Sequence, residues 1–257
     1  MLRSLDHGPV RELRLERPPA NALAPELVTA LAKAVRAAPG EGAEALVLSG
    51  VPGMFSAGLD VPYLLTLDRP GIAAAWTGFY DLLRSLADSP VPIAAAITGH
   101  SPAGGAVLAI FCDRRVMAEG RFAIGLNEVQ VGIPLPPALL AALVRVVGQR
   151  TAERLAVAGA MVGAEEAFRI GLVDELVPPD EVIERTLDWC RSLLALPRGP
   201  MLTTRARARQ DLRAVMRDDD QGEVEGLVDD WFSGETQAAL NAMVARLKAK
   251  KTKESMQ

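Results

Sequence analysis

Residues 99–111 read GHSPAGGAVLAIF, a glycine turn between the end of a strand and the start of a helix. The apolar run at 93–98 predicts the buried strand, and the apolar residues after the turn predict the helix. Gly104 and Gly105 open that helix, where backbone N–H groups lack partners and lie at the positive end of the helix dipole. Because glycine lets a ligand approach closely, the turn suits the binding of an oxyanion. A purely structural packing turn explains the same residues.

The same stretch is close to the G-x-S-x-G elbow of serine hydrolases, with Ser101 as the nucleophile. That mechanism needs an acid and then a histidine later in the chain. The two histidines are His7 and His100, so none follows Ser101. Ala103 also stands where the elbow has its second glycine. The sequence therefore argues against a serine triad and favours a turn role for Ser101 and a loop or core role for His100.

A second glycine turn, MFSAGLD at 54–60, precedes another predicted helix. Its backbone could supply a second N–H donor, and two donors that converge on one oxygen are the usual design of an oxyanion hole. A strand-to-helix turn capped by Asp60 explains the same residues.

The third feature is IGLNEVQVGIP at 124–134, in which Glu128 stands in an apolar stretch bounded by glycines. A carboxylate in apolar surroundings has a raised pKa and can act as a proton shuttle. A glutamate that points from a loop into solvent fits the sequence equally well.

Strand-like and helix-like segments alternate along the first part of the chain, which predicts an α/β fold with some parallel pairing. Beyond Pro178 the apolar periodicity predicts helices alone. We therefore expect an α/β core over residues 1–195 and a helical region over residues 196–257. Within the latter, Arg205, Arg207 and Arg209 are expected to form a solvated surface.

Composition narrows the possible functions further. The formal net charge of the 257 residues is -4, so we expect no attraction to nucleic acid. Two distant cysteines fit neither a zinc pattern nor a CxxC redox pair, which predicts no metal site and a reducing, cytoplasmic location. The apolar runs are shorter than the ~18 residues of a membrane-spanning helix, so we expect no membrane association.

Three segments together are similar to the crotonase (enoyl-CoA hydratase/isomerase) superfamily over about residues 10–180. Each segment alone is common, but their order and spacing are specific. Within the superfamily, PAGG followed by IGLNE most resembles the mitochondrial-type Δ3,Δ2-enoyl-CoA isomerases. The segments are FSAGLD at 55–60, PAGG at 102–105 and Glu128 before Gly132-Ile133-Pro134, with support from 19–23 and 171–174.

This resemblance implies a crotonase-like spiral of repeated ββα units with a helical C-terminal region that drives trimerisation. The chain would then be a homotrimer or a dimer of trimers. Its ligand would be an acyl-CoA thioester, with no further cofactor because coenzyme A is part of the substrate.

The resemblance also implies roles for individual residues. The catalytic groups would be the backbone amides of Leu59 and Gly104 and the carboxylate of Glu128. The substrate-binding residues would be Ser56, Ala57, Gly58 and Asp60 in the loop that holds CoA, together with Val107 and Pro134.

Val107 marks a departure from the hydratases of the superfamily, which carry a glutamate three residues after the oxyanion-hole glycine. Hydration uses two carboxylates, whereas moving a double bond from C3 to C2 needs one base. We therefore expect isomerisation of 3-enoyl-CoA to trans-2-enoyl-CoA in fatty-acid β-oxidation. The alternatives are another acyl-CoA enzyme of the superfamily (a hydratase, hydrolase or decarboxylase) or a CoA-binding protein without catalysis.

Overall fold

Two β-sheets form the centre of the fold in the computed structural model, which describes residues 1–216 and 220–254. The strands are β1 (Leu2–His7), β2 (Val10–Leu15), β3 (Ala45–Ser49), β4 (Gly53–Met54), β5 (Ile93–Ile97), β6 (Gly99–Pro102), β7 (Arg114–Ala118), β8 (Ala123–Gly125), β9 (Val162–Gly163) and β10 (Glu175–Val177).

Helices surround the sheets. The α-helices are α1 (Pro25–Ala37), α2 (Val61–Leu64), α3 (Arg69–Asp88), α4 (Gly104–Ile110), α5 (Pro137–Val147), α6 (Gln149–Ala158), α7 (Ala164–Arg169), α8 (Val182–Leu194), α9 (Arg198–Ala208), α10 (Gln210–Val215), α11 (Asp220–Trp231) and α12 (Gly234–Glu254). Two short 3-10 helices cover Ala38–Glu41 and Glu128–Val131.

The two sheets are built by successive turns of one spiral. The larger sheet has the order β1-β2-β3-β5-β7-β10, and the smaller has the order β4-β6-β8-β9. Each turn adds one strand to the larger sheet, the next strand to the smaller sheet, and then a helical segment, as in β3-β4-α2, β5-β6-α4 and β7-β8-α5. The predicted α/β spiral of repeated ββα units is thereby confirmed.

The larger sheet is buried on both faces at its centre. Every residue of β3 and β5 is buried, which is typical of parallel strands covered by helices on either side. One face packs with α1 and α3 into the main core. The other face packs against Leu187 and Cys190 of α8.

The smaller sheet is what positions the loops. Strands β4, β6 and β8 run parallel, with Met54 paired to His100 and Ser101 paired to Ile124. The carboxyl ends of parallel strands lie at the same edge of a sheet, where ligand sites of such sheets are found. The loops that follow these three strands are the segments singled out from the sequence.

The C-terminal region is helical, as predicted: every element described after Val177 is a helix. Helices α10, α11 and α12 pack back onto α2, α3 and α5, while the boundary at residue 195 stays a prediction. In the described ranges, no helix is both long and apolar enough to cross a membrane.

The prediction that Arg205 and Arg209 are solvated was wrong. Both guanidinium groups bind the Asp113 carboxylate, and Arg209 also donates to the Phe111 carbonyl, with 4% of its side chain exposed. Four residues apart, the two arginines point to one side, where a carboxylate and free carbonyls compensate their burial. Arg207, between them in sequence, is exposed as expected.

Candidate active site

The Leu59 amide is presented by a loop that lies against the segment around Leu23. Leu23 N–H donates to the Gly58 carbonyl at 2.8 Å, and Asp60 N–H donates to the Leu23 carbonyl at 3.3 Å. In a planar trans peptide the C=O and N–H point in opposite directions. The hydrogen bond to Gly58 C=O therefore directs the Leu59 N–H away from Leu23. No acceptor for this N–H is found among the described residues.

The Gly104 amide is presented by an unusual backbone at Ala103, where φ is 46° and ψ is -122°. A positive φ is strained for a residue with a Cβ, and such strain is concentrated at functional sites. Ala103 N–H is anchored to the Gly125 carbonyl of β8 at 2.8 Å. Gly104 then begins α4, so its own N–H has no partner within the helix.

The two amides lie side by side. A Cβ built on Gly104 would come within 3.4 Å of the Leu59 nitrogen, and one built on Gly58 would come within 2.9 Å of the Gly104 nitrogen. Gly58 has φ +81°, a left-handed conformation. Glycine at Gly58 is thus required both by the backbone and by the space that the two N–H groups share.

Glu128 lies at the same edge of the smaller sheet, three residues after β8 ends at Gly125. It is 8% exposed, so of the two positions that the sequence allowed, the buried one is correct. Burial raises the pKa of its carboxyl to about 7, and a hydrogen bond with its own backbone offsets this only in part. Its Oε2 atom is buried and has no hydrogen-bond partner among the described residues.

Ser56 is a structural part of the loop. Its hydroxyl donates to the Asn21 carbonyl at 2.8 Å and accepts from Gly58 N–H at 3.2 Å, and the residue is fully buried. The neighbouring Ala57 is partly exposed and donates its N–H to the Ala20 carbonyl. Contacts of these residues with CoA stay a prediction.

Asp60 has both carboxylate oxygens engaged within the protein. Oδ1 accepts from Tyr63 N–H at 3.2 Å and caps α2, as one reading of the sequence proposed. Oδ2 pairs with Arg17 at 2.7 Å. A direct contact between this acid and the anionic CoA is therefore not required to explain its presence.

The two remaining predicted residues differ in their surroundings. Val107 is fully buried in α4, one turn after Gly104, whereas Pro134 is exposed in the turn before α5. The structure thus brings together the amides of Leu59 and Gly104 with Gly58, and the sheet brings Glu128 to the same edge.

Sequence reasoning missed an apolar pocket beside Leu59. It lies between α1, α2 and α3, and its walls carry apolar side chains almost entirely. The spacing of Ile72, Ala75 and Trp76 indicates one face of a helix, but nothing local in the sequence places that face opposite Leu59. The pocket is lined by Leu23, Pro25, Val28, Leu59, Leu64, Ile72, Ala75 and Trp76.

A contact from the C-terminal region to the Glu128 segment was also missed. The Thr236 hydroxyl, at the start of α12, donates to the carbonyl of Gly132, which ends the 3-10 helix that begins at Glu128. A Cβ on Gly132 would come within 2.9 Å of the Thr236 Cα, so α12 sits directly on this turn. In the described part of the chain, no group of three or more His, Cys, Asp or Glu residues could hold a metal ion.

Comparisons with known proteins show the family to which the chain belongs. The family model described as "Enoyl-CoA hydratase/isomerase" matches residues 7–248. The Homo sapiens protein named "Enoyl-CoA delta isomerase 1, mitochondrial" is 30% identical over 245 residues, covering 94% of this chain and 81% of that protein. A probable enoyl-CoA hydratase of Mycobacterium avium is 34% identical over 195 residues, or 76% of each chain.

The solved structures include one titled human mitochondrial delta3-delta2-enoyl-CoA isomerase. It superimposes with a TM-score of 0.93 at 29% sequence identity, covering 97% of this chain and 99% of that one. The fold is therefore shared over almost the whole chain, including the helical C-terminal region.

Gly58→Ala tests whether the two amides act together. Its methyl group would lie against the Gly104 nitrogen and displace any bound oxyanion. Loss of an oxyanion donor costs about 10²–10³ in kcat. We therefore expect turnover of enoyl-CoA thioesters to fall by about 10²-fold, as measured by steady-state kinetics.

Gly53→Ala is the matched control, because Gly53 has φ +83° and open space where a Cβ would lie. Left-handed backbone costs a residue with a Cβ about 1–2 kcal/mol. Gly53→Ala should lose about this much stability in denaturant unfolding, and Gly58→Ala should lose at least as much because its methyl group also meets the Gly104 nitrogen. Equal kinetic losses in the two variants would contradict the assignment.

Proposed function

The chain belongs to the enoyl-CoA hydratase/isomerase family, and we propose that it isomerises 3-enoyl-CoA thioesters to trans-2-enoyl-CoA. Enzymes of this family act on acyl-CoA substrates. One observation carries the choice of reaction: Glu128 is a buried carboxylate whose Oε2 atom has no hydrogen-bond partner among the described residues, while the position of the second hydratase glutamate is taken by the buried Val107.

The two backbone amides supply the electrophilic part of the proposed mechanism. The thioester carbonyl accepts hydrogen bonds from the N–H groups of Leu59 and Gly104. When a proton leaves C2, negative charge moves onto this oxygen, and fixed N–H dipoles stabilise it without reorganisation. Backbone donors suit this role because their direction is set by the fold.

Glu128 supplies the proton transfer. Its carboxylate removes a proton from C2 of the 3-enoyl thioester, which gives a dienolate and a neutral carboxylic acid. The same group returns that proton to C4, and the double bond then lies between C2 and C3. A pKa of about 7 suits both steps, because near neutral pH the carboxylate can accept a proton and the resulting acid can donate it again.

The absence of a carboxylate at Val107 disfavours hydration. Adding water across the double bond requires a group that holds and activates the water while a second group protonates C2. Val107 is fully buried and apolar, so it neither binds nor activates a water. The hydratase-named relative of Mycobacterium avium makes hydration the alternative to be tested.

The remaining features are proposals of the same kind. We propose that the enzyme works in fatty-acid β-oxidation in the cytoplasm as a homotrimer or a dimer of trimers. It would need no metal, and no cofactor apart from the CoA of its substrate.

The ratio of the two activities tests the proposal directly. Purified protein should isomerise a 3-enoyl-CoA and should hydrate crotonyl-CoA poorly, because a single carboxylate is available. Both rates can be followed by absorbance of the conjugated thioester. Hydration as fast as isomerisation would show that Val107 does not exclude the hydratase reaction.

Glu128→Gln should remove most isomerase activity while folding and CoA binding stay intact. Loss of a general base costs about 10²–10⁴ in rate, and glutamine keeps the size of the side chain. Kinetics, thermal unfolding and CoA titration measure the three properties. Glu119→Gln makes the same chemical change at an exposed glutamate and should be silent. Near-normal turnover of Glu128→Gln would rule out its role as the base.

The pH profile gives an independent check. The base must be ionised, and burial raises the pKa of Glu128 to about 7, so kcat/KM should rise with pH and level off above about 7. The residual rate of Glu128→Gln should lack this step. A wild-type profile that stays flat down to the ordinary pKa of a glutamate, about 4.3, would mean that the carboxylate is solvated.

A further inference from the structure

Arg17 forms an ion pair with Asp60, the residue that follows Leu59. Its Nη2 atom lies 2.7 Å from Asp60 Oδ2, and its Nη1 donates to the Ala22 carbonyl at 3.2 Å. The Arg17 side chain is 28% exposed and that of Asp60 is 12% exposed. A charge-assisted hydrogen bond of this kind is stronger than one between neutral groups, and it is screened less by solvent when it is partly buried.

The two contacts of Arg17 lie on either side of the bonds that orient the Leu59 amide. One contact is to Ala22, just before Leu23, and the other is to Asp60, just after Leu59. Between them, Leu23 N–H holds the Gly58 carbonyl, and Leu23 C=O accepts from Asp60 N–H. Arg17 thus connects the two backbone segments whose pairing sets the direction of the Leu59 N–H.

Asn21 holds the 17–23 segment in place through hydrogen bonds. Arg17 N–H donates to Asn21 Oδ1, and the Asn21 amide group donates to the Phe55 carbonyl at 3.1 Å. Asn21 is fully buried. These hydrogen bonds tie the segment that carries Arg17 to the backbone around Phe55.

We propose that Arg17 is a positioning residue for the oxyanion-binding amide of Leu59, acting through Asp60 and Ala22. This inference rests on the proposed function only in that the ligand is an acyl-CoA whose carbonyl meets that amide. It assigns Asp60 to the same clamp, with no contact to CoA. The charge of Arg17 is neutralised by Asp60, so the arginine is not an available cation for the CoA phosphates.

Loss of the clamp should affect the transition state more than the bound substrate. Charge on the thioester oxygen is greatest in the transition state, so a misdirected N–H lowers kcat while the affinity for the CoA part is kept. A small misplacement of a reacting group can cost about 10²-fold in rate. For Arg17→Met, which keeps the apolar stem, we expect kcat to fall by about 10- to 100-fold with a nearly unchanged KM.

The decisive readout is the polarisation of a bound carbonyl. The probe is 4-dimethylaminocinnamoyl-CoA, whose absorption moves to longer wavelength when its thioester carbonyl is polarised by hydrogen bonds. Full-length wild-type protein should bind it with a clear red shift. Arg17→Met should bind it with a dissociation constant within about threefold of wild type, equivalent to less than 1 kcal/mol, but with a smaller red shift.

Two further variants keep the test independent of folding. Arg17→Lys keeps the charge and should recover part of the red shift and part of kcat. Asp60→Asn removes the ion pair from the other side while an amide oxygen can still cap α2, and it should lose red shift as Arg17→Met does. If thermal unfolding shows that Arg17→Met is unfolded, the red shifts of Arg17→Lys and Asp60→Asn decide whether Arg17 positions the Leu59 amide.

Arg114→Met is the matched control. Arg114 pairs with Glu175 at 2.9 Å, with 30% and 22% of the side chains exposed, between β7 and β10 of the larger sheet. Its removal should leave both kcat and the red shift unchanged.

An unchanged red shift in Arg17→Met and Asp60→Asn would overturn the inference. A large loss of affinity with an unchanged red shift would also overturn it, because Arg17 would then contact CoA. A wild-type protein that neither binds the probe nor shifts its absorption would overturn the proposed function itself, and the inference with it.

Discussion

The parallel pairing of β4, β6 and β8 is the constraint on which the rest of the site depends. These strands are two to four residues long, so their pairing relies on backbones that touch directly. A Cβ on Gly99 would lie 2.0 Å from the Gly53 carbonyl carbon, and one on Gly105 would lie 2.5 Å from the Ser56 carbonyl oxygen. A side chain at Gly99 would separate β4 from β6, and one at Gly105 would push α4 away from the loop that contains Ser56. The two amides and Glu128 would then move apart, because they lie on the loops that follow these strands at the same edge of the sheet.

One carboxylate at this edge, that of Glu128, is buried with one oxygen that has no hydrogen-bond partner among the described residues. The contrast with Glu12, a fully buried glutamate of β2, shows the cause. Burial alone raises the pKa of Glu12, but hydrogen bonds from Arg14, Ser49 and His7 outweigh it and lower that pKa. Glu128 is buried without such donors, so its pKa is raised. Two buried glutamates in one chain thus differ in basicity because Glu12 accepts hydrogen bonds from three side chains, whereas Glu128 has only a hydrogen bond with its own backbone to offset its burial.

Local patterns in the sequence predict elements that are long or have a clear apolar periodicity. They do not predict the environment of a side chain whose contacts lie far away in the sequence. The apolar runs of β3 and β5 and the glycine turn at Gly104 are visible without the structure. Strands as short as β9 have no periodicity to detect. Arg205 and Arg209 were misjudged because Asp113, which pairs with both, lies more than 90 residues away. The environment of Glu128 was open for the same reason, since its burial depends on elements that the segment itself does not contain.

Different parts of the proposed site bind the carbonyl and transfer the proton, so membership of the family does not by itself determine which reaction is catalysed. The carbonyl would be held by backbone amides, whose direction depends on Ala103, Gly58 and the segment around Leu23, and not on the identity of any reactive side chain. That part can be kept by every enzyme with this fold. The fate of the substrate is decided by the few side chains that face its reacting carbons, so members with one fold can catalyse different reactions. The proposed mechanism assigns those positions to Glu128 and Val107, and the isomerase proposal rests on that pair more than on overall similarity.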